Sequence, residues 1–410
     1  MGLILPDAAW RQREGLAALA TALGAGAGEA RFVGGAVRDT LLGLEVADID
    51  IATRHPPQEV LARLRGAGIR AVPTGLAHGT ITAVLPGGPV EVTTLRRDVT
   101  TDGRHAEVAF TDDWREDAAR RDFTMNALYA DPATGRIDDY FGGLADLAAG
   151  RVRFIGSALQ RIAEDHLRIL RFFRFHARFG PLTDAGAIDT EGLDACTARA
   201  NDLMALSRER IASELLKLLV APRAVPVVTL MVERGILVAV LPEIGLAGTM
   251  RFATLAAREQ AAGVAADPIR RLAVLMPPAA AEVVGARLKL STNQRNRLIA
   301  ATAGPGKEGS YALAYRYGVE SAVDRLLLAG DDPVAIIGWT PPRLPISGGA
   351  LVARGMGRGP EVAAALRAVE TRWIAEGFPD DQRVETIADE VAGRNAGSIA
   401  KAASDSSGRA

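Results

Sequence analysis

The sequence is short of several features that mark particular protein classes. Its 410 residues include a single cysteine, Cys196, which excludes an internal disulfide and leaves no second thiol for a metal site. No stretch approaches the roughly 18 consecutive apolar residues of a membrane span. The first fifteen residues hold only a short apolar patch, so we expect no export signal. Together these absences predict a protein of the reducing cytoplasm with no membrane association.

Aromatic residues are also few, and the net charge is small. Aromatic side chains make up 5% of the chain, and the formal net charge is -1. A near-neutral chain has no global positive field, so any contact with a nucleic acid must come from local basic stripes. The hydrophobic fraction of 48% and the charged fraction of 24% are those of an ordinary globular protein. Composition alone indicates no stable protein partner.

Hydrophobic patterning divides the chain into an α/β front and a helical rear. Short β-branched segments near 31–33, 47–52, 79–85 and 89–95 are bounded by glycine or proline, as strands are. The segment "PPQEVLARLRGAG" predicts a helix that begins at proline and ends at glycine. From about residue 157 onward the patterns are almost all helical. We therefore expect a sheet domain up to about residue 140, followed by helices.

The segment "RFVGGAVRD" predicts a strand, a Gly34-Gly35 turn and then a helix. Glycine permits the sharp turn, and amide groups at a helix N-terminus attract anions such as phosphate. Arg38, about one turn into the helix, can add a charge-assisted contact to the same group. A plain strand-to-helix turn is the alternative, because the dinucleotide fingerprint G-x-G-x-x-G is absent.

The segment "ADIDIAT" places Asp48 and Asp50 two residues apart on a predicted strand, so that both carboxylates face one side. Two adjacent carboxylates are costly unless a cation lies between them, and Mg²⁺ favours such ligands together with substrate phosphates. The pair is thus a candidate two-metal site for phosphoryl transfer. In "PVEVTTL", Glu91 can supply a third carboxylate if its strand neighbours that of Asp48. An exposed strand glutamate is the alternative for Glu91.

Four motifs in order resemble those of the class II tRNA nucleotidyltransferase and poly(A) polymerase family. They are "GGAVRDTLLG…DIDIAT", "RRDFTMNALYAD", "DDYFGGLADLAAGRVRFIG" and "AEDHLRILRFFRFHARF". The resemblance covers roughly residues 30 to 220 and implies an α+β fold: a polymerase-β-like head with a small mixed sheet, followed by an all-helical neck, body and tail. We assign the catalytic head to 1–140, the base-recognising neck to 141–222 and the tRNA-binding body and tail to 223–392. The polar residues 393–410 are expected to be disordered.

The resemblance also implies roles for the "RRDFTMNALYAD" motif, whose charge and apolar alternation predicts a helix under the sheet. Arg121 would lie near the triphosphate, while Asp122 and Asn126 would contact the ribose or position a loop. A helix cap with surface charges is the alternative for this motif. The polar segment between Glu91 and this motif corresponds to the family's mobile loop, and its length favours an enzyme that adds A after C.

A predicted helix from about 158 to 178 spaces Asp165, Arg168, Arg171 and Arg174 at three residues, which forms a charged stripe along one face. A solvated face with internal ion pairs is the ordinary interpretation. A carboxylate, however, accepts a hydrogen bond from the exocyclic amine of cytosine or adenine, and an arginine donates to the neighbouring acceptors. Guanine and uracil present a carbonyl where that amine should be. By resemblance, Asp165 and Arg168 read the base, and Arg171 and Arg174 hold phosphates or orient the readers.

The resemblance implies template-independent addition of CMP, CMP and AMP, from CTP and ATP, to the 3′ end of tRNA. Asp48, Asp50 and Glu91 are the predicted catalytic carboxylates, and Asp48 and Asp50 bind Mg²⁺. The alternatives are a poly(A) polymerase, an enzyme that adds only CC or only A, and a catalytically silent RNA-binding module. Intact Asp48, Asp50 and Arg121 argue against the silent module.

Overall fold

The computed structural model describes residues 3–101, 106–180, 188–304, 306–356 and 359–393. The predicted disordered tail therefore lies outside the described residues, except for residue 393. The strands are β1 Ala30–Val33, β2 Asp50–Thr53, β3 Arg70–Gly75, β4 Thr80–Leu85, β5 Gly88–Thr94, β6 Arg96–Thr101, β7 Ala106–Phe110, β8 Leu128–Ala130 and β9 Ile137–Asp139.

The helices of the front half are α1 Leu16–Ala22, α2 Gly35–Leu41, α3 Pro57–Gly66, α4 Trp114–Ala119, α5 Gly143–Ala148, α6 Ala158–Glu164, α7 Arg168–Phe179, α8 Thr190–Ala198 and α9 Arg208–Leu219. Those that follow are α10 Ala224–Glu233, α11 Leu246–Ala261, α12 Pro268–Leu275, α13 Ala281–Arg287, α14 Thr292–Thr302, α15 Ser310–Tyr317, α16 Val319–Ala329, α17 Gly348–Ala353 and α18 Pro360–Ala375. Residues 381–393 are also helical. None of these described helices combines the length and apolar character needed to cross a membrane.

Seven strands form one mixed sheet in the order β3-β4-β5-β2-β1-β8-β9. The pairing of β2 with β5 is parallel, and the other pairings are antiparallel. The central strand β2 buries Ile51, Ala52 and Thr53 in succession, as expected of a strand covered on both faces. In β5, Val90 and Val92 are buried while Glu91 is exposed, as the alternation of strand side chains requires. The α+β class, with a mixed-sheet head followed by helices, is confirmed.

Several predicted elements differ from the structure. Strands β3, β8 and β9 were not predicted, and the polar segment after Glu91 forms the separate hairpin β6-β7, whose tip at 102–105 lies outside the described residues. The helix predicted through "RRDFTMNALYAD" is wrong: α4 ends at Ala119, and Leu128–Ala130 is a buried strand beside β1. The alternation of apolar residues there comes from the packing of a turn and a strand. Over so short a window, such a pattern cannot be distinguished from that of a helix.

The predicted continuous helix at 158–178 is also wrong. It breaks at Asp165, whose φ of -150° and ψ of 106° are extended. The Asp165 carboxylate accepts a hydrogen bond from the backbone N–H of Leu167 at 3.1 Å, a local Asx turn that competes with helix continuation. Asp165 therefore lies between α6 and α7, and only Arg168, Arg171 and Arg174 share α7.

The chain divides into two compact units, one of residues 1–250 with 283–290 and the other of residues 251–282 with 291–410. The boundaries predicted at 140 and 222 lie inside the first unit. In that unit an aromatic core joins the "RRDF" motif to α7: Phe154 stacks on Phe172 with ring centroids 5.6 Å apart, and Phe123 contacts both Phe154 and Phe175. This core fixes the base of α7 beside the head sheet.

The second unit has its own core and a buried ionic network. Trp373, Leu351 and Val369 belong to an apolar cluster under α17 and α18. Elsewhere in the unit, Asp324 is fully buried and accepts hydrogen bonds from Arg270 at 3.1 Å and from Arg297 at 2.7 Å. Such a network is costly to break, because removal of one partner leaves a buried charge without compensation.

Candidate active site

The Gly34-Gly35 turn joins β1 to α2. Gly34 has φ of 72° and ψ of -124°, a backbone region that residues with a side chain avoid, so this position needs glycine. Its N–H donates to the carbonyl of Leu128 at 3.2 Å, which ties the turn to β8. A side chain added at Gly34 would begin 3.5 Å from Nη1 of Arg121. The turn therefore lies directly beside the Arg121 guanidinium.

Arg38 is buried, with 6% of its surface exposed, and its guanidinium already has partners. It donates from Nε to Asp39 at 2.7 Å and from Nη1 to the Asn126 side-chain oxygen at 2.5 Å. The ring of Phe179 covers it at 4.4 Å from the centroid. Burial lowers the pKa of Arg38, and the charge of Asp39 opposes that effect. Through these contacts Arg38 stabilises the Gly34-Gly35 turn.

The three predicted carboxylates lie near one another at the start of β2, where Glu91 and Asp48 both act electrostatically on Asp50. Asp50 and Glu91 are register partners in the parallel pair β2-β5, so their side chains leave the same face. Asp48 is exposed two residues upstream, before the start of β2, so the prediction that one strand carries both aspartates is wrong for Asp48. Burial, followed by the charge of Glu91, raises the pKa of Asp50 to about 6; Arg121 opposes this and Asp48 adds to it. Negative charge is therefore crowded at Asp50.

This donor set fits a divalent cation. In the described part of the chain, none of the three carboxylates forms a salt bridge, so their oxygens are not committed to an arginine or lysine. The described residues contain no group of three or more acidic, histidine or cysteine side chains placed to hold a metal ion by themselves. A cation at Asp48 and Asp50 would therefore complete its coordination with water or substrate oxygens, as Mg²⁺ commonly does.

Arg121 is held beside Asp50 by a buried triad that the sequence did not reveal. Its Nε donates to the Tyr129 hydroxyl at 3.1 Å and its Nη2 donates to Asp117 at 3.2 Å. The Tyr129 hydroxyl donates in turn to Asp117 at 2.6 Å. Burial opposes the charged form of Asp117, but Arg121 and Arg120 outweigh it and lower its pKa to about 2. The triad keeps the Arg121 guanidinium ionised and oriented.

Asp122 and Asn126 form a chain of contacts from α2 to α7. The Asn126 amide donates to Asp122 Oδ1 at 2.9 Å while its oxygen accepts from Arg38. Asp122 Oδ2 accepts from Arg171 Nε at 2.8 Å. Burial opposes ionisation of Asp122, but Arg171 outweighs it and lowers the pKa of the carboxyl. Both residues thus act inside the scaffold, between the glycine turn and the arginines of α7.

Asp165 and Arg168 lie together, and each is held by a residue that the sequence analysis did not single out. Nη2 of Arg210 donates to both carboxylate oxygens of Asp165, at 3.1 and 2.8 Å. Arg168 donates from Nη1 to Glu164 at 2.6 Å and to the carbonyl of Arg161 at 2.9 Å. Its Nη2 donates to the carbonyl of Arg120 at 3.1 Å, which ties this arginine to the head.

The two remaining arginines of α7 are held as well. Arg171 donates to Asp122 as described, and Arg174 donates to Glu214 at 2.5 Å. Glu214 and Arg210 lie one turn apart on α9, so this helix contacts both ends of the predicted stripe. The i, i+4 spacing of Arg210 and Glu214 was visible in the sequence. Their partners, 45 and 40 residues away, were not.

Family models match two parts of the chain. Residues 30–153 match the model described as the poly A polymerase head domain. Residues 187–246 match the model described as the probable RNA and SrmB-binding site of polymerase A. The first match contains the glycine turn, the carboxylates and Arg121.

Relatives are similar over half of the chain or more. Over 370 residues the chain is 37% identical to the mitochondrial CCA tRNA nucleotidyltransferase 1 of Mus musculus, an alignment that covers 85% of this chain and 84% of the relative. Over 218 residues it is 41% identical to the CCA-adding enzyme of Anoxybacillus flavithermus, covering 53% of this chain and 52% of the relative.

Solved structures of CCA-adding enzymes are also similar to this chain. The Bacillus stearothermophilus CCA-adding enzyme in complex with CTP has a TM-score of 0.74 and 27% identity, with 96% of this chain and 100% of that chain covered. The Thermotoga maritima CCA-adding enzyme complexed with tRNA has a TM-score of 0.68 and 20% identity, over 96% and 99% of the two chains. The second likeness concerns the fold alone.

Proposed function

Because the chain belongs to the tRNA nucleotidyltransferase and poly(A) polymerase family, we propose that it adds CMP, CMP and AMP to the 3′ end of tRNA without a nucleic-acid template. It is a nucleotidyltransferase whose substrates are CTP, ATP and tRNA. The observation that carries the proposal is the group of three carboxylates Asp48, Asp50 and Glu91, none of which forms a salt bridge in the described part of the chain. Arg121 acts on this group through its electrostatic interaction with Asp50.

The contacts of Asp165 and Arg168 support reading of C and A. A carboxylate has about four acceptor positions, and an arginine has five N–H donors. Arg210 and the Leu167 N–H occupy three positions of Asp165, which leaves one acceptor on Oδ2. Contacts with described residues occupy three donors of Arg168 and leave its Nε–H and one Nη2–H.

One acceptor beside two donors is complementary to the edge of cytosine, which presents an amine, a ring nitrogen and a carbonyl oxygen. Adenine satisfies the acceptor and one donor through its amine and ring nitrogen. Uracil and guanine place a carbonyl oxygen opposite the carboxylate, which leaves two acceptors facing each other and costs binding. The same two side chains thus select C and A and reject U and G.

The reaction requires a divalent cation, which we propose is Mg²⁺ held by Asp48 and Asp50 with Glu91 as the third carboxylate. When bound, Mg²⁺ supplies positive charge that lowers the pKa of a hydroxyl and neutralises phosphate oxygens. The terminal 3′-hydroxyl oxygen of tRNA attacks the α-phosphorus, its proton is lost, and the bond to the pyrophosphate oxygen breaks. Arg121, kept ionised by its triad, stabilises the charge that develops on the phosphates.

The remaining assignments follow from this function. Gly34 and Gly35 let the triphosphate approach the backbone, and Arg38, Asp122 and Asn126 keep that turn in place. Arg171 and Arg174 orient the base readers through their contacts with Asp122 and Glu214. We assign tRNA binding to the helical residues 223–392. We place the enzyme in the cytoplasm, which the single free cysteine supports.

The test is incorporation of nucleotides into a tRNA that lacks its 3′ CCA. Purified protein is given this tRNA, MgCl₂ and each labelled nucleoside triphosphate in turn, and then CTP and ATP together. We expect two C additions, then one A, with little U or G. Addition of long A tails to unrelated RNA would identify a poly(A) polymerase, and a product ending at CC would identify a CC-only enzyme.

Two variants separate the proposed roles. Asp48→Ala should abolish nucleotide incorporation while the tRNA still binds in a gel-shift assay. The proposed role of this carboxylate is to hold the metal ion for the reaction and not to bind RNA. Asp165→Ala should retain incorporation but accept U and G. Glu59→Ala, an exposed carboxylate on α3, is the matched control and should behave as the unaltered protein. Absence of incorporation by the unaltered protein would favour a silent RNA-binding module.

A further inference from the structure

Arg210 contacts the carboxylate that reads the base, although it lies on a different helix from the charged stripe. It is in the first turn of α9, where Ser207 caps the helix by accepting from the Arg210 backbone N–H at 3.4 Å. Its Nη2 donates to both oxygens of Asp165. We propose that Arg210 is a specificity-determining positioning residue, which orients Asp165 and fills its surplus acceptor positions so that one remains for a base amine. This inference rests on the proposed function.

The position of Asp165 leaves its side chain free to rotate unless other residues hold it. It lies between α6 and α7 in extended backbone and is one-third exposed, so no helix fixes its side chain. A free aspartate in water rotates about two side-chain bonds and offers its acceptors in many directions. Two contacts restrain it here, the Leu167 N–H on Oδ1 and the guanidinium of Arg210 on both oxygens. The second restraint comes from a separate, capped helix and therefore fixes the carboxylate relative to the rest of the unit.

Arg210 also reduces the number of open acceptor positions on Asp165. Without Arg210, Asp165 would keep three open acceptor positions, which water or a variety of donors can fill. With Arg210 bound, the open position is confined to Oδ2. A base must then place an N–H at one point, which cytosine and adenine do with their amine. The arginine thereby converts a carboxylate that accepts from many directions into one that accepts from a single direction.

Charge reinforces this geometry. The negative charge of Asp165 acts on Arg171, which is also coupled to Glu214 and Asp122. Arg210 adds a positive partner from α9, so Asp165 does not depend on the α7 arginines for compensation. Those arginines stay engaged with Asp122 and Glu214. Arg168 is held separately, by Glu164 and by the carbonyls of Arg161 and Arg120.

The test measures nucleotide discrimination. For the unaltered protein, Arg210→Met and Arg210→Lys, the kcat/KM for C addition is divided by that for U addition on the same tRNA, and the A-to-G ratio is measured in the same way. We expect Arg210→Met to reduce both ratios by about 10- to 100-fold, the range of one charge-assisted contact. Arg210→Lys should recover part of the loss, because the charge remains while the two-oxygen contact does not.

A double-variant cycle distinguishes positioning from a merely structural role. In the Asp165→Ala background, Arg210→Met should change neither ratio further, because Arg210 acts through that carboxylate. Additive losses in the double variant would overturn the inference, as would full discrimination by Arg210→Met. Arg63→Met is the control, since Arg63 forms an ion pair with Glu59 of similar exposure on α3. Failure of the unaltered protein to add C and A would instead contradict the proposed function.

Discussion

The Asp117 carboxylate offers the sharpest test of how Arg121 is held. Its side chain is 1% exposed and accepts from Arg120, Arg121 and Tyr129, besides the backbone N–H of Arg96. Asp117→Asn removes the charge but keeps the shape. Whichever oxygen the asparagine NH₂ replaces, it would face an arginine donor, from Arg121 at Oδ2 or from Arg120 at Oδ1, so at least one of these contacts is lost. We expect lower stability together with a less well oriented Arg121.

The magnitude follows from the pKa of Asp117, which lies at about 2 in the folded protein against an ordinary value of 3.8. A difference of roughly 1.8 pKa units corresponds to about 2.4 kcal/mol that favours the folded state with Asp117 ionised. A depressed carboxyl pKa stabilises the fold above the unfolded pKa, and this contribution is lost as the pH falls through the folded value. Between pH 5 and pH 3 the contribution should therefore decline by about 1 kcal/mol.

The assay is urea unfolding of the unaltered protein and of Asp117→Asn at pH 7, 5 and 3, together with steady-state kinetics for CTP at pH 7. The variant should lose about 2 to 3 kcal/mol at pH 7, with a smaller difference at pH 3. Its kcat/KM should fall at least about tenfold. Asp194→Asn, whose side chain is 71% exposed beside Arg234, should change neither quantity. Equal stability of the two variants, or a difference that does not vary with pH, would refute the reasoning.

Three further predictions address other parts of the molecule. Gly34→Ala should lower kcat/KM for CTP and cost about 1 to 3 kcal/mol of unfolding free energy, because its φ of 72° is strained for alanine; unchanged kinetics would contradict this role. Asp324→Ala should lower the unfolding free energy by up to about 3 to 5 kcal/mol, since the buried Arg270 and the partly buried Arg297 lose a carboxylate that they share, and a loss under 1 kcal/mol would contradict it. Burial, with a smaller contribution from Arg223, lowers the pKa of His176 to about 4 from 6.5. Because only the unfolded histidine takes up a proton between pH 7 and pH 5, the unfolding free energy should fall by about 2 kcal/mol over that range. His176→Gln should lose that part of the pH dependence.

The sequence was most informative where spacing alone determines geometry. Alternation along "PVEVTTL" correctly placed Glu91 opposite the buried valines, and the strand neighbours β2 as the third-carboxylate hypothesis requires. The helix predicted to begin at proline and end at glycine in "PPQEVLARLRGAG" is observed as α3, Pro57–Gly66. These features depend on residues close in the chain. The break at Asp165 escaped prediction because one Asx contact outweighs a helical pattern of otherwise good periodicity.

The partners of the charged residues could not be predicted for a different physical reason. Arg171 pairs with Asp122 over 49 residues and Arg174 with Glu214 over 40, distances over which a sequence carries no geometric information. The charge type of the stripe could therefore be predicted, but the partners of its residues could not. A free stripe of three arginines would bind any polyanion. Here a carboxylate engages each of the three arginines: Glu164 for Arg168, Asp122 for Arg171 and Glu214 for Arg174.

If Asp165 and Arg168 read the base as proposed, these fixed contacts account for selectivity without a nucleic-acid template. A base-pairing partner is rigid because its ring is stacked in a helix, whereas aspartate and arginine side chains are flexible and pay an entropy cost to adopt one arrangement. Glu164 and two backbone carbonyls fix Arg168, and Arg210 fixes Asp165. That cost is thus met during folding and not when the nucleotide binds. Discrimination should therefore depend as strongly on the residues that hold the readers as on the readers themselves.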